Sequence, residues 1–255
     1  MRALAHKKNR KSSRQAKVRM RHLVVLLVLT GAGIFLSVAI HKAACRLFPV
    51  REIVFSGNSH ISDAELKSLA NIRSGEGLLG ISSKGIAERL SQCAWIRSAS
   101  VRKEFPDKLL VRVHEATPFA ILDKKGQTFL IDERGVILEK ITADAVPFLP
   151  IIIADPVRMP DAFAEALRLA GVLKDKKIAT ERGRVEVIAN GKGPEDLAVV
   201  IDSVVIKVGQ GDYEQKLDRL FSLEDEIKKR AITVDYVDLR FANRVVVKPI
   251  SQVIR

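Results

Sequence analysis

The stretch Val50–Ala70 reads VREIVFSGNSHISDAELKSLA, and its residues specify three consecutive elements. Val50–Phe55 alternates, placing Ile53 and Phe55 on one face of a short strand. Gly57-Asn58 closes that strand with turn residues. Ser62-Asp63-Ala64-Glu65 is then a capping box, in which the Ser62 hydroxyl and the Glu65 carboxylate satisfy free N–H groups of a starting helix reciprocally. Ile61 and Leu66 fall at the staple positions around it, and Leu66, Leu69 and Ala70 are expected to face inward. This is the best-specified local element of the chain.

Downstream, Ser74-Gly75-Glu76-Gly77 and Gly80 form a flexible connection. A phosphate loop would end in Gly-Lys-Ser/Thr, which is absent here. A second helix is predicted over Ser83–Cys93, with Ile86, Leu90, Cys93 and Ala94 at helical spacing. Two strands follow, Ile96–Phe105 and Lys108–Glu115, joined at Pro106-Asp107; Leu109, Val111 and Val113 share a face of the second. The order strand, helix, helix, strand, strand lets two helices cover one face of a three-stranded sheet, so residues 48–117 read as a small α+β module.

Upstream, Phe48-Pro49-Val50 stops any helix, because proline biases its predecessor to extended backbone. Before it lies Leu23–Ile40, LVVLLVLTGAGIFLSVAI, without one charged residue. As a helix it spans about 27 Å against a hydrocarbon core of about 30 Å, and the transmembrane segment is set at residues 23–41. A cleaved signal peptide has a shorter apolar run and a small-residue cleavage site, whereas His41-Lys42 occupy that place here. Lys42 also spoils Ala43-Ala44-Cys45 as a lipoprotein processing site. The segment therefore reads as an uncleaved single-pass anchor.

Charge fixes its expected orientation. Residues 1–22 hold nine Lys and Arg and no Asp or Glu. Removing those nine from the 43 basic residues leaves 34 against 30 acidic ones, so the remainder is nearly balanced. The sequence pI of 9.9 thus reflects the tail rather than a nucleic-acid-binding surface. The positive-inside rule places the tail in the cytoplasm and the rest of the chain outside. Anionic lipid headgroups could attract the same tail, although topology alone explains its charge. The two cysteines, Cys45 and Cys93, make no disulfide framework, and their oxidation state is left open.

From Pro118 the texture changes to short strands separated by turns: Phe119–Leu122, Thr128–Asp132, Val136–Glu139, Leu149–Ile153, Val185–Ala189, Leu197–Ile201 and Val204–Val208. Two amphipathic helices interrupt them, Pro160–Gly171 and Tyr213–Ile227. Val234–Phe241 and Val245–Lys248 close the chain around a turn or bulge at Ala242-Asn243-Arg244. Residues 118–250 are thus expected to form a mostly antiparallel β domain with flanking helices, and residues 251–255 a short tail.

This order of parts resembles the FtsQ/DivIB family of bacterial division proteins. Phe48-Pro49-Val50 through Phe55-Ser56-Gly57-Asn58 resemble the opening strand and turn of the family's POTRA module. Trp95-Ile96, Phe105-Pro106-Asp107, Leu109 to Val113 and Glu115 to Ala120 continue the likeness. Leu130 to Leu138 resembles the hairpin that opens the family's β domain, and Asp238-Leu239-Arg240-Phe241 its penultimate strand. The resemblance implies a bitopic inner-membrane scaffold with a periplasmic domain that links early and late division proteins during septation. POTRA modules also occur in transport and assembly factors that hold client polypeptides, and that is the alternative reading.

No enzyme constellation emerges. The histidines His6, His22, His41, His60 and His114 have no metal-binding spacing, and no Gly-x-Ser-x-Gly elbow occurs. No cofactor is implied. Binding remains, and a sheet edge is a template for a partner's strand. The resemblance implies that the last strands recruit small bitopic proteins of the FtsB and FtsL type, and that the POTRA-like module recruits other division proteins. By position, Arg240, Phe241, Asn243 and Val247 are the candidate contacts. Phe241 would supply apolar area and Arg240 a charge-assisted contact to an acidic helix. Core packing for Phe241 and a solvated strand face for Arg240 are the competing readings.

Overall fold

One helix, α1, runs through Lys8–Leu47 and takes up most of the N-terminal region. The computed structural model of the chain describes residues 8–73, 75–141, 148–182, 184–189, 191, 193–229, 233–241 and 244–250. Within α1, His22–Ile40 is long and apolar enough to cross a membrane, and none of it is buried against protein. At ~1.5 Å per residue, these 19 residues span about 28 Å. Thr30, in the middle of the span, returns its hydroxyl to the Leu26 and Leu27 carbonyls, each at 3.0 Å, so that donor does not face hydrocarbon alone. The helix exceeds the expected span at both ends, since basic residues from Lys8 to Arg21 and the segment 41–47 extend it.

By its internal packing the chain divides into two units, residues 1–92 with 98–114, and residues 93–97 with 115–255. In the first, β1 (Glu52–Ser56), α2 (Asp63–Ala70), α3 (Ser83–Leu90), β2 (Ile96–Glu104) and β3 (Lys108–Glu115) follow the expected order. The sheet order is β1-β3-β2. Strand β1 lies parallel to β3, with Ile53 opposite Leu109 and Phe55 opposite Val111.

Both helices start on serine caps. The Glu65 amide donates to Ser62 Oγ at 3.3 Å, and the Gly85 amide to Ser82 Oγ at 3.1 Å. Leu66 and Ala70 of α2, Ile86 and Leu90 of α3, and Leu109, Val111 and Val113 of β3 are buried. Each such leucine or isoleucine contributes about 1.5–3 kcal/mol by leaving water. Leu69 was expected among them but is 37% exposed. A two-turn helix buries one i, i+4 pair here, and position i+3 lands on its rim. Cys93 and Ala94, expected at the end of the second helix, lie beyond α3.

The second unit is one sheet with helices on one face. Strands β4 (Ala120–Lys124), β5 (Gln127–Ile131), β6 (Ile137–Lys140) and β7 (Ile151–Ala154) come first. Helices α4 (Pro160–Asp175) and α5 (Ile178–Glu181) follow, then β8 (Val185–Ala189), β9 (Ala198–Ile201) and β10 (Val204–Lys207). Helix α6 (Tyr213–Lys229), β11 (Val234–Asp238) and β12 (Val246–Pro249) complete it.

The nine strands are ordered β12-β11-β10-β9-β8-β7-β4-β5-β6. Five neighbouring pairs are antiparallel. Three are parallel: β4 with β7, β7 with β8, and β10 with β11. The last two parallel pairs coincide with the helical crossovers α4–α5 and α6, the usual way to join parallel neighbours, whereas β5 and β6 lie between β4 and β7 in the chain.

Alternation along the strands sorts the core. Ile152, Val187, Val199, Ile206 and Val237 pack with Ala166, Leu169 and Leu173 of α4 and with Leu217 and Leu220 of α6. Ile121, Leu130, Leu138 and Ile151 form a smaller cluster, against which Trp95 packs.

Candidate partner-binding edge

The sheet of the second unit ends at β12, which pairs with β11 on one side. No strand among the described residues pairs with its other side. The pairing is antiparallel, with Tyr236 opposite Lys248, Val237 opposite Val247 and Asp238 opposite Val246. The ladder extends one residue further, where the Ile250 amide donates to the Thr233 carbonyl at 2.8 Å. Strand β12 has four residues and ends on Pro249. A short strand, a proline and a lysine are the usual ways in which a soluble edge avoids indiscriminate pairing.

The predicted contact residues occupy different environments. Val247 is half-buried and packs on the main core, so it offers backbone rather than side chain to the edge. Val246, on the opposite face, is 38% exposed. Phe241 precedes the strand and is 41% exposed, with the Arg244 guanidinium 4.4 Å from its ring centroid. It is therefore not a core residue. Asn243 lies outside the described residues.

Arg240 is already engaged within the chain. Its side chain reaches back two residues to Asp238, with Nε 3.0 Å from Oδ1 and 3.2 Å from Oδ2, and Nη2 2.7 Å from Oδ2. The Arg240 amide donates to the same carboxylate at 3.0 Å. The Asp238 side chain is only 7% exposed against 43% for Arg240. The fork from Arg240, opposed by burial and aided by the Arg240 amide, holds the Asp238 carboxyl below the usual carboxylate range.

Beside this pair, Lys207 of β10 and Lys248 of β12 both approach the Tyr236 ring, at 4.1 and 5.1 Å from its centroid. Lys248 also meets Asp235 at 3.0 Å, and that contact raises the Lys248 ammonium above its ordinary pKa. The edge thus presents main-chain groups, an exposed aromatic ring and basic side chains over a tyrosine.

Sequence reasoning did not single out Asp238, Tyr236 or Arg244. For Asp238 a signal existed, because Asp-x-Arg at a strand end is the spacing of an Asx-type turn. The cation–aromatic stack joins β10, β11 and β12 and could not be read without their register. Among the described residues, no group of three or more His, Cys, Asp or Glu side chains could hold a metal.

Compared with known families, residues 48–116 match the POTRA domain of FtsQ type. Residues 120–240 match the C-terminal domain of cell division protein FtsQ/DivIB. The second match stops at Arg240, so Phe241 and β12 lie beyond it. The FtsQ of Geotalea daltonii is 26% identical over 237 residues, covering 89% of this chain and 84% of that protein. The FtsQ of Syntrophotalea carbinolica is 27% identical over 264 residues, covering 97% and 93%. The FtsQ of an Anaeromyxobacter species is 33% identical over 184 residues, covering 68% of this chain and 61% of its own length. With one N-terminal apolar helix, a POTRA domain and a mixed-sheet domain in that order, the chain belongs to the FtsQ/DivIB family of cell division proteins.

Proposed function

We propose that this protein is a non-enzymatic scaffold of the division machinery, anchored in the inner membrane with its N-terminus in the cytoplasm and both folded units in the periplasm. The basic tail before a single apolar helix supports that orientation. Strand β12 would accept a segment of a small bitopic partner of the FtsB/FtsL type by strand addition. Phe241 would supply apolar area beside it, with Arg240, Asn243 and Val247 in the same site. The POTRA domain would recruit other division proteins through its own sheet, flanked by Val50–Phe55 and Ile96–Val101.

The observation that carries this reading is the edge itself, a four-residue terminal strand with a 41%-exposed phenylalanine five residues before it. Main-chain hydrogen bonds would supply affinity, and side chains at alternate positions selection.

The test uses the full-length protein in nanodiscs and the outer segment of the FtsB-type protein from the same organism. Phe241→Ala should weaken binding at least tenfold while changing stability by less than about 1 kcal/mol, as for an exposed side chain. Equal binding by wild type and variant would remove Phe241 from the interface, and no binding by wild type would refute the edge reading. In cells, depletion should give filaments; normal division after depletion would overturn the scaffold role.

A further inference from the structure

By position Arg240 would meet a partner's acid, yet its guanidinium already gives Nε and Nη2 to Asp238 of its own chain, and its backbone amide donates to the same carboxylate. Three of its five N–H groups stay outside this fork, but the charge that a partner's acid would meet is already matched within the chain. Asp238 is the last residue of β11, flanked by Lys207 of β10 and Val246 of β12. Beyond it, the Leu239 amide still donates to the Lys207 carbonyl at 2.8 Å. The Asp238–Arg240 bonds therefore close where the chain leaves β11 and heads for the edge.

Gly209 completes the arrangement from the other side. Its φ is +64°, and a Cβ there would lie 3.0 Å from Arg240 Cγ and 3.4 Å from the Glu195 carbonyl oxygen. The Arg240 methylenes thus lie on a glycine floor while the guanidinium is forked onto a buried carboxylate. Such a side chain is fixed at both ends, and the next residue is Phe241.

We propose that Arg240 is a positioning residue rather than a charge reader: by clamping Asp238 over Gly209 it fixes where the chain leaves β11, and so presents Phe241 and the β12 edge to the partner. This rests on the edge reading above. It makes the two residues one unit. Removing either releases the same segment, and removing the second then changes little more.

The experiment is a double-mutant cycle in the full-length protein in nanodiscs, titrated with the outer segment of the FtsB-type protein from the same organism. Arg240→Gln and Asp238→Asn should each weaken binding about tenfold, with the double variant no weaker than the worse single one. Arg240→Lys, which keeps the charge but not the fork, should lose as much as Arg240→Gln. The Arg240→Gln loss should persist when the acidic residues of the partner segment are changed to their amides.

A direct ion pair predicts the opposite: Arg240→Lys retains binding, the Arg240→Gln effect survives in full in Asp238→Asn, and it vanishes with the neutralised partner. Any of these three results overturns the proposal, as does unchanged binding in Arg240→Gln. A second readout needs no partner. Arg240→Gln should speed hydrogen exchange of the Val246–Lys248 amides at least tenfold relative to those of β8. If the wild-type protein fails to bind the segment, the edge reading fails alone, and unchanged exchange in Arg240→Gln would still sink the clamp.

Discussion

A buried carboxylate is tolerated in a folded protein when its charge is matched by donors at short range. Asp238 meets that condition through Arg240, and its pKa falls as a result. The sign of the linkage follows from that direction. A depressed folded-state pKa means stability that is present above the unfolded value, about 3.9, and is lost as pH falls through the folded one. Denaturant melts of wild type and Asp238→Asn should therefore differ most at neutral pH and converge at acid pH, with wild type the more stable at pH 7. An acid limb of unchanged steepness in the variant would show that the carboxylate contributes nothing. Lys216 shows the same direction from a different cause. Burial lowers its ammonium pKa, while its Nζ donates to the Val208 and Gln210 carbonyls at 3.0 and 2.8 Å. That lysine closes the loop between β10 and α6 from within.

At the scale of elements, local sequence signals and long-range pairing contributed in different ways. The Ser62 box, the helix spacing of α4 and α6, and the alternation in β3 are each written in adjacent residues, and those elements appear close to their expected bounds. The four-residue helix α5 and the 3-10 turn at Pro194–Asp196 were not foreseen, since neither is long enough to show a period. The three parallel pairs were equally hidden, because which strands become neighbours depends on crossovers and not on any strand's own residues. The candidate site was legible as a region and not as a mechanism: its final strands were located, while the Asp238 clamp and the Tyr236 stack depend on register. Gly57 shows how a local signal and a distant contact combine. Its φ is +85°, and a Cβ would sit 2.2 Å from the Val113 carbonyl oxygen. Turn chemistry alone assigns such a residue a strain of about 1–3 kcal/mol when replaced, and the backbone clash adds to it. Gly57→Ala should therefore cost more than Ser62→Ala, which loses one cap worth about 1 kcal/mol. Urea midpoints of the two variants check the order, and a milder Gly57→Ala would mean that β1 and β3 separate easily.

At the scale of the whole molecule, the linear order of parts constrains function more than any one of them. Among the described residues one helix is long and apolar enough to cross a membrane, and a single crossing would put everything after Ile40 on one side and everything before His22 on the other. In the proposed orientation, flanking charge would set the side. Nine Lys and Arg and no acid precede the span, against Lys42, Arg46 and Arg51 in the twenty positions that follow. The rule counts Lys and Arg near the ends of a span and largely ignores acids and distant domains, so the near-neutral remainder of the chain does not compete. Fusing alkaline phosphatase after Arg255 should give an active enzyme in cells, and a fluorescent protein that folds only in the cytoplasm should stay dark there when exported by the general secretory route. The same fusions should report a measurable fraction of inverted molecules once Arg14, Lys17, Arg19 and Arg21 are replaced by Gln and lysines are placed at Ala43 and Ala44. Dark fluorescence with active phosphatase in both forms would mean that the folded units, and not the basic tail, decide which side they reach. An inactive phosphatase on the unaltered chain would place β12 in the cytoplasm, out of reach of any partner segment beyond the membrane.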